Sequence, residues 1–75
     1  MTDKAENAAR VIGRNIKRLR GDRNLGQHEL AKLIDVAQPT VSLWESGACS
    51  PRAAMLFALA KALRCNVSDL TSGKA

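Results

Sequence analysis

QHELAKLIDVAQPTVSLWES, residues 27–46, is the stretch on which the rest of the chain is organised. Leu30, Ala31 and Ile34 fall at i, i+1 and i+4, which places them on one face of a short helix. Val36 stands alone in a short connector, and Val41 and Trp44, three apart, give a second short helix its buried stripe. Two helices crossing steeply over so short a turn need a small residue where their backbones approach, and Ala31 supplies one. Gln38, Pro39, Ser42 and Leu43 then face outward from the second helix.

Seventy-five residues bound the chain to one domain, residues 1–75, with an ordered core expected over about 4–71 and a tail at 72–75. Twelve Lys and Arg against seven Asp and Glu leave a net charge of +5, and seven of the twelve cations lie in the first 23 residues. A basic balance favours phosphate-bearing partners through counterion release, and a helix protruding from a small basic domain suits the DNA major groove. No apolar run approaches the ~20 residues of a membrane span, and Met1–Asn7 lacks a signal peptide's hydrophobic stretch, so a cytoplasmic location is expected. Cys49 and Cys65 without CxxC spacing, and a single His28, make no zinc site. No nucleophile, base and orienting acid are brought together and no glycine-rich phosphate loop is present, which reads as a non-enzyme with no cofactor, metal or small-molecule ligand.

Helical signals run throughout, and the reading is all-α with five helices. Asp3 with Glu6 three residues on forms a capping pair that opens a long first helix with the stripe Ala5, Ala8, Ala9, Ile12, Ile16 and Leu19. That helix is expected to stop by Asn24, a residue tolerant of the left-handed conformation. Helix two is expected over about 27–34 and helix three over about 38–45, with a break at Ser46–Gly47. Ser50–Pro51 reads as a serine cap with proline in the first helical position, starting a fourth helix that runs from Arg52 to about Leu63 and buries Leu56, Leu59, Ala60 and Leu63. Asn66 with Asp69 reads as a further capping pair for a one-turn helix holding Val67 and Leu70.

The residues IGRNIKRLR (12–20), QHELAKLIDVAQPTVSLWESG (27–47), Pro51 followed by ALAKAL (58–63), and NVSDL (66–70) together resemble the phage Cro and lambda-type repressor family of helix-turn-helix domains. Leu30, Ile34, Val36, Val41 and Trp44 fill the five apolar positions of that family's pattern, and Trp44–Glu45 followed by Gly47 is its more discriminating part. The resemblance covers Ile12 to Leu70, about four fifths of the chain. It implies a compact five-helix lambda-repressor-like domain with the helix-turn-helix at helices two and three.

Site residues follow from the same resemblance. Gln27 corresponds to a glutamine that meets a DNA phosphate through its side chain and backbone N–H at a helix amino terminus. Gln38 opens the recognition helix, and glutamine pairs bidentately with adenine N6 and N7. Pro39, Ser42, Ala37 and Leu43 complete the surface expected to touch bases, while Thr40, Ser46, Gly47, Ser50 and Arg52 are expected on phosphates. From the basic face of helix one, Arg14 and Lys17 are added to the phosphate set. Arg20 and Glu45 correspond to an ion pair tying helix one to the recognition helix.

The chain departs from the family pattern in four respects. Asp35 stands where glycine is usual, Gly26 and Ala37 replace capping hydroxyls, and the recognition helix carries no Arg or Lys. Specificity is therefore expected from Gln38, Ser42 and apolar contacts, with A·T pairs in the site. The reading is a sequence-specific transcriptional regulator, a repressor binding double-stranded palindromic DNA as a homodimer. Its rivals are an antitoxin or restriction–modification controller of the same fold, and a protein-interaction module that has lost DNA binding.

Overall fold

The computed structural model describes residues 4–73. Five helices follow one another, α1 (Lys4–Asp22), α2 (Gln27–Leu33), α3 (Gln38–Ser46), α4 (Ala53–Leu63) and α5 (Val67–Thr71), with no strand among the described residues. Asp3 and the side chains of Ala5 and Glu6 lie outside the described residues.

One core joins all five elements: Ile12 and Ile16 from α1, Leu30 and Ala31 from α2 with Ile34 behind it, Val41 and Trp44 from α3, Leu59, Ala60 and Leu63 from α4, and Leu70 from α5. Each large apolar side chain taken fully out of water contributes about 1.5–3 kcal/mol, and Ile16, Leu30, Leu59, Leu63, Leu70 and Val41 are buried to that degree. The expected stripe of α1 is corrected at two points. Ala8 is exposed, and the buried row from Ile12 to Ile16 also takes in Asn15. Asn15 is tolerated there because its Nδ2 donates to the carbonyl oxygens of Leu70 at 2.8 Å and Ser72 at 3.0 Å. This polar side chain fastens the end of α5 to the middle of α1.

The helix ends follow from local chemistry. Asn24 and Asp35 adopt left-handed backbone angles (φ 56° and 58°) after α1 and α2, as residues with short polar side chains do most readily. Gly26 offers no side-chain cap to α2, but its own N–H donates to Glu29 Oε1 at 2.7 Å, half of a capping box. Asn66 N–H donates likewise to Asp69 Oδ2 at 2.9 Å at the start of α5. The start of α4 differs from expectation. Arg52, in extended backbone, is the residue before the first turn, so Ser50 caps nothing and Pro51 precedes the helix. Pro51 is buried, and the helix begins two residues beyond it.

Gly13 decides how α1 meets α3. A methyl group placed on its Cα would lie 2.2 Å from the backbone carbonyl oxygen of Trp44, so the two helix backbones approach more closely than any other residue permits. Ala31, the small residue of α2, is 2% exposed and belongs to the core.

Candidate nucleic-acid interface

Val41 and Trp44 lock α3 into the core through one side, and the remaining positions of the helix follow from the 100° step between residues. Gln38, Pro39, Ser42, Leu43 and Ser46 fall on the opposite side and all five are exposed, Leu43 at 46%. Thr40 lies on the flank toward Trp44 and is half-buried. Ala37, extended (φ −74°, ψ 145°), precedes the first turn, and Pro39 occupies a position there whose N–H has no partner inside the helix. Gly47 ends α3 in the left-handed region (φ 82°), and a methyl group on it would lie 3.0 Å from Arg10 Cγ. Only glycine meets both conditions at low cost.

Behind this surface is a charged cluster that fixes α3 to the elements on either side. Arg20 Nε donates to Glu45 Oε2 at 2.6 Å and Arg20 Nη2 to Oε1 at 3.0 Å, a bidentate pair whose carboxylate side chain is 4% exposed. Arg20 Nη1 also donates to the carbonyl of Leu25 at 2.8 Å, which ties down the connector before α2. Gln27 Nε2 donates to Glu45 Oε1 at 3.0 Å. Burial by itself would raise the Glu45 carboxyl, but hydrogen bonds from Arg20 and Gln27, with the charges of Arg20 and Lys17, outweigh it and hold the group below its ordinary value. The hydrogen bond to Glu45 raises Arg20 in turn.

Among the phosphate candidates, Arg14, Lys17, Ser50 and Arg52 are exposed. Arg14 and Ser46 border one shallow cleft between α1 and the end of α3, together with Asn7, Arg10 and Glu45. Ser46 Oγ donates to the carbonyl of Leu43 and accepts from the N–H of Ala48. Arg52 stands at the amino end of α4, where the first N–H groups are free to meet an anion. The hydrogen bond from Gln27 to Glu45 was not anticipated from the sequence, because the two residues are 18 apart and no local pattern links them. Gly13 did carry a signal, since a glycine inside an amphipathic helix usually has a packing reason.

The helix-turn-helix model HTH_3 matches residues 16–70. The chain is 38% identical over 63 residues to the HTH-type transcriptional regulator DicA of Escherichia coli K12, covering 84% of this chain and 47% of DicA, so it spans about half the length of that curated relative. The P22 c2 repressor protein, solved in complex with a synthetic operator, superposes with a TM-score of 0.80 at 31% identity, covering 85% of this chain and 97% of that one. A transcriptional regulator from Vibrio cholerae gives a TM-score of 0.83 at 27% identity, covering 89% of this chain and 38% of that one. The family match over residues 16–70, most of the chain, identifies the protein as a member of the HTH_3 family of Cro/C1-type helix-turn-helix domains.

Proposed function

We propose that the chain is a sequence-specific DNA-binding transcriptional regulator that inserts α3 into the major groove. The observation that carries this reading is the division of α3: Val41 and Trp44 hold it in the core, while Gln38, Pro39, Ser42 and Leu43 are all exposed on its other side. A short helix presented in this way exposes side chains that can reach base edges. Gln38 is the residue for an adenine, Pro39 and Leu43 offer apolar contact to thymine methyl groups, and Ser42 takes either kind of base edge. Ala37 lies at the margin of this set.

Phosphates are met from around α3. Gln27 contributes its helix amino terminus and the amide that Glu45 orients, with Thr40, Ser46, Gly47, Ser50, Arg52, Arg14 and Lys17 around it. Because α3 presents no cation outward, affinity rests on these backbone contacts and base choice on the neutral side chains. The similarity to a repressor solved on its operator supports DNA as the ligand. The protein acts as a homodimer on an inverted repeat, with half-sites about 34 Å apart, and represses by occupying DNA that RNA polymerase requires.

Selection from random duplexes, followed by titration of the enriched sequence at several salt concentrations, tests this reading. An inverted repeat with half-site centres one helical turn apart and affinity that falls steeply with salt is the expected result. Failure to enrich any sequence, with only weak binding that salt abolishes, would show that Gln38 and its neighbours read nothing and would favour a protein-interaction module.

A further inference from the structure

Leu33 and Phe57 keep 61% and 67% of their surfaces exposed, more than Leu43 on the outward side of α3. Leu33 ends α2, where its neighbours Leu30, Ala31 and Ile34 are all buried, so its own exposure serves neither the core nor α3. Close to it, α4 packs on α1 and α5 and not closely on α2, which leaves a furrow between the end of α2 and α4. The furrow consists of two hollows of about 430 and 290 Å³, each bounded by Leu33 and Ala62. Ala58 and Ala62, one turn apart on α4, are too small to fill it.

The rim is cationic. Lys61 borders the first hollow, and Arg23 and Arg64 border the second. Asp35 is the one acidic residue lining either hollow. Arg23 is held in place, since its Nε donates to the carbonyl of Leu63 at 3.0 Å and its Nη2 to that of Arg64 at 3.2 Å.

We propose that this furrow is a docking surface for an acidic amphipathic helix of a partner protein. Its apolar floor fits a row of large apolar side chains at helical spacing, and its rim fits carboxylates flanking that row. A phosphate backbone would leave the apolar floor unused. A second copy docked symmetrically would set Arg23, Lys61 and Arg64 against their own images, with Asp35 alone to offset them. None of the furrow residues belongs to the DNA-contact set, so the proposal does not depend on DNA binding.

The test is an NMR titration of the isotope-labelled chain with a synthetic peptide helix carrying leucines on one face and glutamates beside them. A control peptide keeps the glutamates and replaces the leucines by serine. Saturable shift changes at Leu33, Ile34, Ala58 and Ala62, absent with the control, are expected. Lys61→Glu with Arg64→Glu should weaken peptide binding ~10-fold or more, as reversal of two rim charges implies. Leu33→Asp should abolish peptide binding while leaving the fold intact, because the side chain is exposed. Binding of a DNA duplex by the same variant should be unchanged. The proposal is overturned by absence of shifts, by equal shifts with the serine control, or by shifts confined to the outward residues of α3. It is equally overturned if the same residues shift when the protein alone is concentrated, or if Leu33→Asp loses duplex and peptide binding together.

Discussion

Arg20 of α1 holds Glu45 of α3 through two parallel hydrogen bonds of 2.6 and 3.0 Å, and the same carboxylate accepts a third from Gln27 at the start of α2. One carboxylate therefore sets the mutual position of three helices, including both of those proposed to face DNA. Removing one partner of a buried pair costs more than the pair is worth, because the other charge is left without compensation. With Glu45 4% and Arg20 16% exposed, Arg20→Met or Glu45→Gln should lower unfolding free energy by about 3 kcal/mol in urea titrations. That is a large part of the about 4–11 kcal/mol expected for a domain of this size. Coincident transitions and equal stability in the variants and the parent would show that the pair contributes nothing.

Acid should weaken the fold through the same residue. Glu45 is held below its ordinary value of 4.5 in the folded state, so the unfolded chain takes up the proton first as pH falls. The stabilisation is fully present above about 4.5 and is lost as pH drops from there through the lower folded value. Urea midpoints measured from pH ~6 to ~3 should fall more steeply for the parent than for Glu45→Gln. Parallel curves would remove Glu45 from the acid response.

Two glycines of α1 should answer alanine in opposite directions. At Gly13 the added methyl meets the backbone of Trp44, which cannot swing aside, and overpacking of this kind costs about 3 kcal/mol or more. At Gly21 nothing lies within 4 Å, so alanine should stabilise the last turn by about 0.5–1 kcal/mol. Thermal melts of the two variants check both signs at once.

Asn15→Ala should release α5. The substitution leaves the buried carbonyl of Leu70 and the part-buried carbonyl of Ser72 without their donor, a loss of about 1–3 kcal/mol. Hydrogen exchange should quicken in α5 before it quickens in α2 or α3. Uniform acceleration across all helices would make Asn15 a core residue like any other.

Duplex titrations of Gln38→Ala and Gln27→Ala should separate reading from holding. The first should relax preference at one base position, losing about 1–3 kcal/mol there. The second should weaken all duplexes alike and leave the salt dependence unchanged, because a neutral amide releases no counterion. Loss of preference with Gln27→Ala instead would exchange the proposed roles.

The sequence by itself determined the number and order of the helices, the partition of α3 between core and outward residues, and the family. These depend on patterns within a turn or two: Leu30, Ala31 and Ile34 on one face, Val41 and Trp44 on another, and left-handed stops at Asn24 and Asp35. Such signals are short-range, so local periodicity and backbone preference suffice to read them. Only the tertiary structure decided what joins residues distant in the chain. Gln27 meets Glu45, Asn15 reaches the end of α5, Gly13 admits the backbone of Trp44, and α4 starts beyond buried Pro51, past the expected serine cap. Each depends on how two elements cross, a relation set by the packing of the whole core and carried by no local pattern.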